Sequence, residues 1–311
     1  AHDGRLVDLR LVSIADAEAR GIEAVRQDRA TYDLPPGDPR AASLTRAVVF
    51  GAPDAVLMDL PQLTEDQPAH RPMVAAHAVP WPGEMAVFRS PSTDGFELLT
   101  TFGSRARIGT LVSDFYAGPT SRFDLGNALV VDLLTGTLES VTDLTLFGGA
   151  NAIAVETAPG AWEIVQAGAA ELLAPGRYRL TLLLRGQRGT ESAMGDPAPA
   201  GARAVALNDS LATLPIAEAD LGLPWNWRIG PASHPVSDET YVAQAFTPEG
   251  VGLRPFSVAH VEQPWRRPRA PGDLTIRWTR RSRALPADSW GAVEVPLAEE
   301  LEAYEVEILD G

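Results

Sequence analysis

The side chains able to do chemistry are few in kind. Cysteine is absent, which excludes thiolate catalysis, disulfides and cysteine-ligated zinc. Lysine is absent too, so all 26 basic residues are arginine and neither a P-loop lysine nor a Schiff-base lysine exists. The five histidines, His2, His70, His77, His234 and His260, form no H-E-x-x-H and no i,i+4 pair, and no metal site is expected from them. The nucleophile-elbow pattern G-x-S-x-G does not occur. Asp94-Gly95 and Asp310-Gly311 read as turns, because the ligand spacing of an EF-hand is missing. With 41 acidic residues, neighbouring carboxylates such as Glu299, Glu300 and Glu302 are common, and a glycosidase would need two of them about 5–10 Å apart in a cleft. No catalytic, cofactor-binding or metal-binding residue is assigned, and no enzymatic activity is expected of these residues.

Two groups remain as candidates for binding. Trp225 and Trp227, flanking Asn226, and Trp290 could stack on sugars, although buried or interface anchors are the commoner use of such rings. Arg266, Arg267, Arg269, Arg277, Arg280, Arg281 and Arg283 form the single basic cluster. They would either protect an exposed strand edge or meet an acidic neighbour, such as the Glu294–Glu307 stretch of this or another subunit.

The elements positioning these residues read as strands. The 27 glycines and 26 prolines are scattered between short apolar runs, as many tight turns require. Leu6–Val12 and Gly21–Arg26 alternate apolar and polar, with Asp16–Arg20 between them as a turn or one helical turn. Further strands are expected at Ala55–Leu60, Met73–Val79, Glu84–Ser90, Phe96–Thr101, Arg107–Ser113, Ala128–Leu134, Ala152–Glu156, Trp162–Gln166 and Arg177–Leu184. Their spacing of roughly 8–12 residues suits a barrel or sandwich. Phe256–Val261, Asp273–Trp278 and Ala303–Ile308 alternate again, with Trp278 placed as a sandwich core plug. The fold class expected is mainly β, with several barrel or sandwich modules in tandem.

Four regions follow: a terminal hairpin of a preceding domain (1–38), a barrel-like domain (39–205), a connecting β or irregular segment (206–250), and the first strands of a fibronectin-III-like sandwich (251–311). The start, Ala1-His2-Asp3-Gly4, without Met or an apolar leader, and the few strands after Pro255 suggest a piece of a longer chain. No apolar run reaches the roughly 18 residues a membrane span needs. The net charge of −15 argues against a duplex-binding face and suits a wall that DNA slides past.

Glu163-Ile164-Val165-Gln166, then Gly176-Arg177-Tyr178-Arg179-Leu180, then Leu183-Leu184-Arg185-Gly186-Gln187-Arg188-Gly189-Thr190-Glu191 resemble a recurrent block of phage-type tail-tip, or baseplate hub, proteins. Gly252-Leu253-Arg254-Pro255, Gly272 to Arg281, Asp288-Ser289-Trp290 and Tyr304-Glu305-Val306 resemble the fibronectin-III-like module that follows the block in the large baseplate protein of alphaproteobacterial gene transfer agents. Trp81 to Ser90 is similar to the barrel segment of that family. The resemblance implies a structural subunit of a particle assembled in the bacterial cytoplasm, with a trimeric ring of like chains expected. Its partners would be other tail and baseplate proteins, the host envelope and passing DNA held without specific binding. The implied role is closing the tail tube and organising attachment, penetration and DNA delivery. Such parents can carry a glycosidase-like domain elsewhere; none of its motifs lies here, and no cofactor is implied. The alternative is an adhesin binding carbohydrate on a bacterial surface.

Overall fold

The computed structural model describes residue 4 and residues 7–16, 19–28, 49–261, 275–283 and 295–307. The chain divides into two compact units, residues 1–48 and 49–311.

In the first unit, β1 (Leu9–Asp16) and β2 (Arg20–Arg26) form an antiparallel hairpin. The first strand starts and ends later than its alternation suggested, because a bulge between Leu11 and Ser13 lets pairing run on to Asp16. The bulge absorbs one residue and keeps Ile14 in step with Leu9 and Leu11, on the face shared with Ile22 and Ala24. The Asp16–Arg20 ion pair that closes the turn is exposed and contributes little.

The second unit begins with β3 (Asp54–Met58), β4 (Met73–His77), β5 (Met85–Ser90) and β6 (Glu97–Phe102). Next come β7 (Ile108–Leu111), β8 (Leu129–Leu133), the short helix α1 (Asp143–Phe147), β9 (Ala152–Ala158), β10 (Ala161–Ala174), β11 (Arg177–Leu184) and β12 (Arg203–Ala206). The last are β13 (Ala212–Thr213), β14 (Trp225–Pro231) and β15 (Val242–Phe246). β7 to β12 close into a six-stranded barrel in the order β10-β11-β8-β7-β12-β9. The others make a three-stranded sheet, β13-β4-β3, and a four-stranded sheet, β15-β14-β5-β6.

These parts stack in layers. Leu111, Leu129, Val131, Val155, Val165 and Leu180 fill the barrel from within. Alternate residues of the same strands, Ile108, Ala154, Trp162 and Val205, point outward onto Val56, Met58, Met73 and Ala75 of the three-stranded sheet. The opposite face of that sheet, Ala55, Leu57, Val74 and Ala76, packs on Met85, Val87, Trp227 and Ile229. A sheet covered on both faces needs continuous apolar strands, which is why Ala55–Met58 and Met73–Ala76 do not alternate.

Residues 206–250, expected to connect two modules, instead complete the first module's sheets. β13 pairs with β4, and β14 lies between β5 and β15. The barrel is thus an excursion between strands of two sheets, and its ends meet where the Ala206 N–H donates to the Arg107 carbonyl. After residue 250 the described residues hold one antiparallel bridge, Ala259 with Thr279; Ala259 lies in the strand expected at Phe256–Val261, and Thr279 directly follows the one expected at Asp273–Trp278. Trp278 meets Tyr304 edge to face at 5.0 Å. Trp290, Arg266, Arg267 and Arg269 lie outside the described residues.

Candidate functional site

The motif residues of the barrel converge on a buried charged group. β10 carries Glu163 and the end of β11 delivers Arg185, both fully buried. The Arg185 guanidinium donates through Nε and Nη2 to the two Glu163 carboxylate oxygens at 2.7 and 2.9 Å. Nη1 donates to the Asp124 carboxylate at 3.0 Å and to the Tyr116 carbonyl at 2.9 Å. The Phe115 ring lies 3.9 Å under the guanidinium carbon. The Gly186 N–H adds a third donor to Glu163. This planar, two-sided use of one cation is specific to arginine.

Asp124 was not singled out from the sequence, yet it is nearly as buried. Its carboxylate accepts from the backbone N–H groups of Gly126 and Asn127 and from the Asn127 side chain. The Asp124-Leu125-Gly126-Asn127 run is an Asx-turn signature that could have flagged it. Burial alone would raise its pKa, but the donors from Asn127, Arg185 and Gly126 together outweigh it and hold the carboxyl below its ordinary range. The folded-state pKa is therefore lower than the unfolded one, near 3.9. The stabilisation is present above about pH 4 and lost as pH falls through the depressed pKa. Thermal melts from pH 7 to pH 2 should show a steep acid limb, flatter in Asp124→Asn; an unchanged limb would remove Asp124 from the acid transition.

The segment after Arg185 forms a kinked pair of 3-10 turns, Gln187–Ala193, in which Arg188 and Gly189 take φ of 59° and 82°. Thr190 ties it to the barrel, accepting from the Ile164 N–H and donating to the Gln187 carbonyl. A Cβ at Gly189 would stand 2.4 Å from the Phe256 ring, so glycine admits the next segment of the chain. Glu191 pairs with Arg281, whose guanidinium also faces Phe256. On β10, Gln166 donates to the carbonyls of Leu146 and Ala150 and seats α1. The block thus fastens barrel, α1 and the following segment together.

No catalytic pair emerges among the described residues. Glu163 and Asp124 have their oxygens committed to Arg185 and backbone donors. Asp59 is buried and its pKa is raised by burial, the mark of a possible acid. Its two oxygens, however, accept from the N–H groups of Glu249 and Val251 and fasten that turn. No cluster of three or more histidine, aspartate or glutamate residues suited to a metal exists among the described residues.

The tryptophan platform is corrected. Trp227 is 0% exposed, with its Nε1–H donating to the Phe246 carbonyl at 3.0 Å, because β14 is a central strand. Trp225, at the strand end, is half-buried with Arg89 stacked 4.3 Å over it. Of the basic cluster, Arg280 pairs with Glu302 at 2.8 Å and Arg283 with Glu299 at 2.7 Å. Acidic neighbours for these arginines are therefore present within the same chain.

Residues 106–205 match the model of a protein family described as "Rcc01698-like, C-terminal". The matched span is the barrel, from the approach to β7 to within one residue of the end of β12. No curated protein matches the chain significantly.

Proposed function

We propose that this chain is a structural subunit of a phage-like tail tip, a hub protein whose β-modules close the distal tail tube and carry partner proteins. The observation supporting an assembly role is the apolar face left open on the β1–β2 hairpin. Leu9, Leu11, Ile14 and Ile22 share that face and are each 56–58% exposed. Four large aliphatics in contact with solvent on one face of two strands would suit a surface that a partner covers. A two-stranded hairpin is also marginal on its own and gains from such cover. The motif block supports the same reading, since its residues brace the barrel and tie it to α1 and to the following segment. The acidic net charge of −15 suits a surface that does not retain DNA.

The reading is tested by the intact mass of the native polypeptide and by its co-sedimentation with tailed particles. A native chain far heavier than 33.2 kDa that travels with particles is expected; a free protein of that mass in the soluble fraction would overturn the proposal. A second test uses the hairpin. Leu11→Asp with Ile22→Asp should move the melting temperature little, since exposed substitutions change stability by about 0.5 kcal/mol or less. The same pair should abolish incorporation into particles, measured by mass spectrometry of purified tails. Full incorporation of the double variant would remove the hairpin from the interface.

A further inference from the structure

We propose that the cavity between the outer side of β10, the β3–β4 loop and the segment after β12 is a binding site for one neutral sugar ring. Its volume is about 390 Å³, within the range of ordinary small-molecule sites. Ile164 and Gln166 line it from β10, where they alternate with Val165 and Ala167, which fill the barrel. Gln67 in the β3–β4 loop, the turn at Gln187 and Arg188, and Leu207 and Asn208 after β12 form other parts of the wall.

Three glutamines in this wall are each held at one end of the amide and free at the other. Gln67 is 7% exposed; its Oε1 accepts from the Leu63 N–H at 3.0 Å, and its Nε2 meets no acceptor among the described residues. Gln166 is 6% exposed; its Nε2 donates to the Leu146 and Ala150 carbonyls at 2.7 and 2.8 Å, and its Oε1 meets no donor among the described residues. Gln187 donates to the Arg185 carbonyl at 3.0 Å, and its Oε1 is likewise unused among the described residues. The backbone partner decides which end of each amide is oxygen and which is nitrogen, so the free ends are set in kind as well as direction. None of these free ends is sealed from solvent. Fastening α1 and the β3–β4 loop occupies one end of Gln166 and one end of Gln67; the other ends have no task in the fold.

Arg188 joins them. Its one acceptor among the described residues is the Leu63 carbonyl, at 3.5 Å, and Leu63 belongs to this wall. The guanidinium has no ion pair among the described residues, and solvent reaches its nitrogens. Asn208 accepts from the Ser210 N–H through Oδ1 at 3.1 Å, which leaves its Nδ2 free among the described residues.

The cavity thus offers donors from Gln67, Arg188 and Asn208 and acceptors from Gln166 and Gln187, with the exposed Asp66 and Asp209 also in its wall. That mixture suits hydroxyl groups, each of which donates once and accepts twice. An anion would meet one arginine against two carboxylates, and an apolar ligand would leave the free amide ends unpaired. Leu63, Met73, Ile164, Leu207 and Leu211 supply apolar surface for the C–H faces of a ring.

Calorimetry and thermal shift on the whole chain test the site with glucose, galactose, mannose and N-acetylglucosamine, and with alanylalanine and inorganic phosphate as controls. At least one sugar is expected to bind and both controls to fail. Asn208→Asp keeps the Oδ1 contact and removes the free donor; it should bind about 3–10-fold more weakly at an unchanged melting temperature. Arg188→Gly removes the guanidinium at a position whose φ of 59° suits glycine. It should melt no lower than the parent and bind about 10–100-fold more weakly. The methyl glycoside of the sugar that binds separates the two sources of such a ring: retained binding supports the end of a glycan chain, and lost binding supports a free sugar. No response to any of the four sugars, an equal response to either control, or binding that survives both substitutions overturns the proposal. Each of these outcomes leaves the tail-tip reading to be judged by co-sedimentation.

Discussion

Arg185→Ala should cost about 3–5 kcal/mol, a large share of the roughly 5–15 kcal/mol that holds a domain together. The loss does not come from one contact. Removing the guanidinium leaves Glu163 with only the Gly186 N–H, and leaves both carboxylates charged at sites that are 0% and 2% exposed. Their mutual repulsion, previously neutralised by one shared cation, is then unopposed in a medium of low dielectric. Arg185→Lys should recover only part of the loss, because an ammonium cannot serve the two Glu163 oxygens and Asp124 in one plane. The double variant Arg185→Met with Glu163→Leu should lose much less than the sum of its single changes, since a buried pair exchanged for apolar groups of similar size is often neutral. Urea titrations of the double variant and of Arg185→Met and Glu163→Leu alone decide this. Additive losses would mean that the two residues act separately.

The second large effect concerns the tryptophans. Trp227→Ala should cost about 3–5 kcal/mol by opening a cavity between the two sheets and removing the Nε1–H that donates to the Phe246 carbonyl. Trp225→Ala should cost about 1–2 kcal/mol, because it removes a half-buried ring and its stacking with Arg89. If the pair instead formed a sugar platform, both variants would stay folded and lose saccharide binding together. Chemical denaturation and a glycan screen on the same samples separate these results.

Much of the fold was legible. The nine strands expected between Ala55 and Leu184 all occur, and the turn glycines and prolines separate them because only such residues meet the φ demands of tight turns. Closure of the barrel was not legible, since β12 pairs with both β7 and β9 and nothing local in Arg203–Ala206 specifies either partner. The same holds for β14. Trp225, Trp227 and Ile229 alternate as they would on an edge or a central strand, and only pairing with the distant β5 turns Trp227 inward. Glu163 and Arg185 stood out as motif letters, but their meaning depended on Asp124, which three-dimensional closure brings to them.

The filled interior of the barrel has a consequence for transport. Side chains from all six strands occupy its axis, so nothing passes through it. On the proposed tail-tip reading, DNA would therefore have to pass beside such barrels and not through them.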